Sequence, residues 1–141
     1  MSTQFPDARL IIFAKAPEPG QVKTRLIPAL GMEGAADLYR EMLGQKLQML
    51  SGNRIARTDL YCSPDRRHPF FQQAASSYDL ELHSQTGNDL GERMSNALQK
   101  TLENNTLAVI IGSDCPPLDL TYLHSAFHAL EQGVEAVIGP A

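Results

Sequence analysis

Two stretches of the chain are apolar without alternation. Residues 9–14 run through Leu10, Ile11, Ile12, Phe13 and Ala14, and residues 107–111 read Leu107, Ala108, Val109, Ile110, Ile111. Strands covered on both faces have this pattern, whereas a half-exposed strand alternates. Between them the period changes to that of a helix. Ala35, Leu38, Tyr39, Met42, Leu43 and Leu47 recur at helical spacing and predict a helix over residues 33–50. Leu90, Met94, Ala97, Leu98 and Leu102 do the same for residues 90–103, and a third helix is expected over residues 120–131, stopped by Gly133. Pro69 can open a short helix over Phe70, Phe71, Ala74 and Ala75. Residues 58–62, 80–83 and 134–138 are strand-length apolar segments, and residues 15–30, punctuated by Pro17, Pro19, Gly20 and Pro28, are expected to form a loop.

Strands that alternate with helices predict an α/β fold, with a mostly parallel sheet and helices on both faces. The two most apolar strands, near residues 9–14 and 107–112, are expected to be adjacent, parallel and central. Their carboxyl ends would then flank the crevice where open α/β sheets bind ligands. A length of 141 residues suits one domain spanning residues 1–141.

Charge narrows the partners. A net charge of −4 lacks the global basic footprint of a nucleic-acid binder, so the cations that matter are local. No apolar run approaches the roughly 20 residues of a membrane span, and the N-terminus has no basic segment leading an apolar one. Cys62 and Cys115 form neither a disulfide framework nor a Cys-x-x-Cys pair. A reduced, cytoplasmic setting is the expectation.

The candidate chemistry lies where the two apolar strands end. After the first come Lys15, Pro17, Pro19, Gly20, Lys23, Thr24 and Arg25. A loop stiffened by proline loses little entropy on ordering. Arg25 can grip phosphate oxygens with two parallel donors, and Lys23 acts as a point charge. The bland alternative is a solvated basic loop. A P-loop is excluded, because Pro17 and Val22 stand where its glycines are required.

After the second strand comes Gly112-Ser113-Asp114-Cys115-Pro116. An acid beside a buried strand is costly unless paired or bound to metal, and Mg²⁺ is often held by one carboxylate plus substrate phosphates. Asp114 is the expected ligand of Mg²⁺ or Mn²⁺, Asp119 the expected cap of the following helix, and Cys115 a small buried filler. A third motif, Gly87-Asn88-Asp89-Leu90-Gly91-Glu92-Arg93-Met94, reads locally as a capped helix start. Beyond that, Gly87 and Gly91 would let backbone amides approach a base or ribose, with Asp89 and Arg93 beside them. His68, His83, His124 and His128 show no zinc spacing with the cysteines, and His124 and His128 read as a solvated helix face.

Residues 13–26, Phe-Ala-Lys-Ala-Pro-Glu-Pro-Gly-Gln-Val-Lys-Thr-Arg-Leu, closely resemble the opening signature of a bacterial family of GT-A-type glycosyltransferases formerly labelled a domain of unknown function. Some members are named for arsenosugar biosynthesis or for association with selenium-related radical enzymes. The resemblance continues through residues 35–39, 85–94, 111–116 and 139–141 and covers essentially the whole chain. It implies a three-layer, Rossmann-like nucleotide-diphospho-sugar transferase fold, with a nucleotide sugar as donor and a divalent metal. By the same resemblance Lys23 and Arg25 match positions expected to hold the diphosphate, and Asp114 the metal-binding acid. Pro116 replaces the second acid of the usual Asp-x-Asp. Members of the family continue past Gly-Pro with an Asp-Gly-Gly-Tyr segment and further sheet. The resemblance therefore implies a chain lacking its C-terminal part, for which self-association is expected. The alternatives are a nucleotidyltransferase that joins a nucleoside triphosphate to a phosphorylated acceptor, and a nucleotide-binding fragment without turnover. Neither the catalytic residue nor the sugar, base or acceptor can be read from these motifs.

Overall fold

A computed structural model of the chain describes residues 5–52, 55–112 and 120–131. Four strands form one all-parallel sheet: β1 (Ala8–Lys15), β2 (Arg57–Ser63), β3 (Leu80–Ser84) and β4 (Leu107–Gly112), in the order β3-β2-β1-β4. The helices are α1 (Ile27–Ser51), α2 (Pro69–Ser77), α3 (Leu90–Leu102) and α4 (Leu120–Glu131). The α/β reading holds, with helices on both faces.

Strand side chains alternate between two cores, as the pleat requires. Leu10, Ile12 and Ala14 of β1, Leu60 and Cys62 of β2 and Ile111 of β4 pack with Ala36, Tyr39, Leu43, Leu47 and Leu50 of α1, Phe71 and Ala74 of α2 and Phe127 of α4. The opposite face holds Ile11, Phe13 and Tyr61 against Ala97 of α3, with Met94 and Leu98 beside them. An unbroken apolar run is thus two half-patterns, one for each layer.

The expected pairing of the two apolar strands is observed. They are neighbours and parallel, with Ile12 opposite Ile111 and Phe13 opposite Gly112. Their expected joint centrality is corrected in part. Among the described residues β4 is an edge strand, and the second interior strand is β2, buried from Thr58 to Cys62. Polar Thr58 and Asp59 obscured that burial in the sequence. The expected strand over residues 134–138, Gly133, Asp114, Cys115 and Asp119 all lie outside the described residues.

Three details differ from the sequence pattern. The loop expected over residues 15–30 is shorter, because Thr24–Leu26 form a 3₁₀ turn and α1 starts at Ile27 with Pro28 in its first turn. Proline there sacrifices no helical hydrogen bond. Gly31, at φ 76° and ψ 167°, then kinks the helix, so the regular part begins near the expected residue 33. Finally, Met42, Leu90 and Leu102 point to solvent rather than into the core. In α1 the stripe through Ala36, Tyr39, Leu43, Leu47 and Leu50 faces the sheet, and Met42 lies off it.

Candidate functional site

Every strand of a parallel sheet delivers its following loop to the carboxyl edge, and every following helix turns its N-terminus there. Three such loops meet in this protein. The first follows β1 and is fastened from several sides. The Tyr39 hydroxyl donates to the Lys15 carbonyl and accepts from the Lys15 amide, each at 3.0 Å. The Ala16 amide donates to the Ser63 carbonyl at 2.7 Å. Arg40 donates to the Pro17 carbonyl at 3.4 Å. Pro17 and Val22 are buried and anchor the loop from inside.

Against that anchoring, the loop's polar groups turn outward. Lys15, Thr24 and Arg25 are exposed, and Lys23 is half-buried. Lys23 takes a left-handed backbone, φ 49° and ψ 43°, immediately after buried Val22. For a residue with a side chain this costs on the order of 1 kcal/mol, and such strain tends to collect at ligand-binding positions. Gly20 has φ 85°.

The second loop, after β3, is tied to the first by Gln85. Its side-chain amide donates to the Tyr61 carbonyl at 3.0 Å and the Ala14 carbonyl at 3.3 Å, and its backbone amide donates to the Cys62 carbonyl at 3.0 Å. One residue therefore bridges the carboxyl ends of β1 and β2. Arg93 reaches back from α3, with Nε to the Gly87 carbonyl at 3.1 Å and Nη1 to Gln85 Oε1 at 3.4 Å. Gly87 is required here. It has φ 138°, and a Cβ would lie 2.9 Å from the Arg93 amide nitrogen. Asp89 caps α3, its Oδ1 accepting from the Glu92 amide at 2.8 Å. Gly91 follows in the first turn, exposed.

The third loop follows β2 and ends at His68. His68 Nδ1 accepts from the Phe70 amide at 3.1 Å and caps α2, while Nε2 bonds the carboxylate of Glu18 in the first loop. Cys62, at the end of β2, is fully buried, and burial pushes its thiol up to about 12. A thiol so protonated is no nucleophile. At the end of β4, Lys46 of α1 donates to the Gly112 carbonyl at 3.4 Å, two residues before Asp114.

The structure therefore brings the expected Lys15, Pro17, Gly20, Lys23, Thr24 and Arg25 to one sheet edge with Gly87, Asp89, Gly91 and Arg93. Gln85, Tyr39, His68 and Lys46 were not singled out for this edge from the sequence. Their roles depend on partners 24 to 71 residues away, which local spacing does not encode.

A second polar group gathers around buried Asp59. On the α3 face, Arg9 Nη1 lies 2.9 Å from Asp59 Oδ1 and 3.4 Å from Glu81 Oε2. His83 Nε2 is 3.5 Å from Asp59 Oδ2 and 3.8 Å from Glu81 Oε1, and its ring stacks on Tyr61 with centroids 4.6 Å apart. Asp59, Glu81 and His83 could hold a metal ion, since their ligand atoms lie within 4.8 Å of one another. His83 Nε2 is also buried without a hydrogen-bond partner, which suits a donor set of two carboxylates and an imidazole. The Arg9 guanidinium already bonds both carboxylates, however, and a cation would have to displace it. Asp59 stands opposite Ile11, four residues before Lys15 and so about 13 Å down the strand from the carboxyl edge.

Comparison with known proteins gives two findings. Residues 46–141 match the family described as "Uncharacterized protein conserved in bacteria (DUF2064)". A crystal structure from Desulfovibrio desulfuricans G20, of a candidate nucleotide-diphospho-sugar transferase, superposes with a TM-score of 0.76 at 31% identity. The alignment covers 93% of this chain and 55% of that one, so the chain spans about half the length of that protein. No curated protein matches the chain. No helix among the described residues is long and apolar enough to cross a membrane.

Proposed function

The chain belongs to the bacterial family DUF2064, and from that membership and the geometry of its carboxyl edge we propose that it is the nucleotide-binding part of a transferase using a nucleotide-diphospho-sugar donor. The observation that carries this reading is the loop after β1. It places Lys15, Lys23 and Arg25 at the end of an interior strand, on a backbone fixed by Tyr39, Ser63 and buried Val22. Fixed cations at a strand end suit a diphosphate, and the superposed neighbour is described for that substrate class.

In such a reaction the sugar–phosphate bond breaks and negative charge grows on the departing nucleoside diphosphate. Lys23 and Arg25 would stabilise that charge from positions held before substrate arrives, which is where electrostatic catalysis gains most. Gly87, Asp89, Gly91 and Arg93 would shape the nucleoside side of the crevice. A divalent ion, Mg²⁺ or Mn²⁺ held by Asp114, would supply further positive charge to the same diphosphate. The protein would act in the cytoplasm on small molecules, with no nucleic-acid partner.

The test is a thermal-shift screen of nucleotides and nucleotide sugars with and without Mg²⁺ or Mn²⁺. A true ligand at a hundredfold excess over its Kd stabilises by about 2.7 kcal/mol. Product analysis then distinguishes the chemistry. Free nucleoside diphosphate supports glycosyl transfer, pyrophosphate supports nucleotidyl transfer, and binding without product supports a nucleotide-binding part alone. No stabilisation by any nucleotide would refute the reading.

A further inference from the structure

The loop from Lys15 to Leu26 carries three cations and a single acid, Glu18. An acid in an anion-binding loop is a liability. A free carboxylate there would repel a diphosphate and pair with the loop's own cations. Glu18 is exposed, with 52% of its side chain open to solvent, so burial does not hold it. Its carboxylate is instead engaged by His68 Nε2, across 50 residues of sequence.

His68 is well placed for that task. Its ring is only 22% exposed, and it lies edge-on to Phe71 with centroids 5.9 Å apart. Phe71 is fully buried in the main core. His68 Nδ1 accepts from the Phe70 amide, so the ring's proton sits on Nε2, facing Glu18. The cap thus fixes both the ring's orientation and its tautomer. Within the loop, the Glu18 amide donates to the Ala16 carbonyl at 2.8 Å and the Gln21 amide to the Glu18 carbonyl at 3.0 Å. The turn therefore holds the Glu18 backbone in place while the side chain is drawn toward α2.

We propose that His68 is a positioning residue that sequesters the Glu18 carboxylate, so that Glu18 does not compete with a diphosphate for the loop's cations. This rests on the phosphate-binding reading above. His68 touches no substrate in this scheme and acts through Glu18.

The experiment measures pyrophosphate affinity by calorimetry for the wild type and four variants. His68→Asn keeps a capping oxygen near the Nδ1 position but is too short to reach Glu18. It should weaken pyrophosphate binding about fivefold, the scale of one exposed charge pair, in a chain that still unfolds cooperatively. Glu18→Gln alone should bind close to wild type. The decisive variant is the double His68→Asn/Glu18→Gln, in which affinity should return to within about twofold of wild type, because the competing charge is gone. A purely structural role for His68 would not be rescued this way. Arg25→Ala separates this proposal from the reading beneath it. If Arg25→Ala weakens binding while His68→Asn does not, or the double variant fails to recover, the sequestering role is overturned and the phosphate site stands. If Arg25→Ala also binds pyrophosphate like wild type, both fall. Should His68→Asn fold poorly, His68→Ser keeps the cap in another form and is read by the same criteria.

Discussion

On the α3 face of the sheet Arg9, Asp59, Glu81 and His83 meet one another, while at the carboxyl edge Lys15, Thr24 and Arg25 face solvent. Both regions are rich in charge, and interior strand β1 contributes to both, Arg9 to the first and Lys15 to the second. In the first, the charges are the contents of the site. Asp59 is 93% buried by its side-chain exposure of 7%, and its partners complete it. In the second, the backbone makes the bonds and the side chains are held out. Gln85 and Tyr39 bind main-chain atoms of Ala14, Lys15 and Tyr61, which fixes the loops without consuming Arg25 or Lys15. Charges that satisfy one another hold a fold together, whereas charges held on a rigid backbone facing water are ready for a ligand.

The largest effect should come from breaking the first region. Arg9→Leu leaves Asp59 buried beside Glu81 without its cation. Removing one partner of a buried pair costs about 3 kcal/mol or more, readable as a lower urea midpoint with unchanged slope. Pyrophosphate affinity should stay as in wild type. A loss of affinity with full stability would reverse the roles assigned to the two regions.

The next effect is in binding. Arg25 is exposed and in a 3₁₀ turn. Arg25→Ala should weaken nucleotide binding by about 1.5–3 kcal/mol, the range for a charge-assisted hydrogen bond, with no change in the urea midpoint. Calorimetry on the folded variant decides this.

Gln85→Ala tests what joins the two halves of the edge. It removes donors to Ala14 and Tyr61 and the acceptor of Arg93. A loss of about 1–2 kcal/mol in stability is expected, together with faster amide exchange over residues 85–89. Unchanged exchange would mean that the Gln85 side chain does not hold this loop, leaving the Gln85 backbone amide, Asn96 and Arg93 to do so.

The smallest effect concerns Cys62. Its thiol is raised from the ordinary 9.0 to about 12, chiefly by burial, with the nearby Asp65 adding to the shift. The neutral form is favoured in the fold. Its contribution to stability is therefore complete below the unfolded value and is lost as pH rises from 9.0 toward 12. Native protein at pH 8 should resist iodoacetamide at Cys62, as mass spectrometry of the labelled peptide can show. Rapid native labelling would contradict the burial.

The layers of the fold were legible in the sequence because period and composition carry them. Leu10 to Ala14 read as buried on both faces, and they are. The cations after β1 were legible because a strand that runs straight into a Pro/Gly loop is a local feature. What could not be read was pairing across the chain. Asp59 looked like a polar interruption in a short strand, and only the register that sets it beside Glu81, diagonal to Arg9, explains its burial. Gln85 looked like the first residue of a polar loop, with nothing in its neighbours to indicate the carbonyls of Ala14 and Tyr61. Leu90 and Leu102 fit the helical period of α3 but lie at its two ends, 63% and 47% exposed, beyond the reach of the sheet face that buries Ala97.

Two places compete as the anion site, the carboxyl edge and the polar group around Asp59. The most direct measurement is a pyrophosphate titration followed by amide chemical shifts on the isotope-labelled chain. Binding at the carboxyl edge gives shifts concentrated at Lys15 to Leu26 and Gln85 to Arg93, with Arg9, Asp59, Glu81 and His83 unmoved. Shifts confined to those four residues and their neighbours, with the loop after β1 silent, would contradict it.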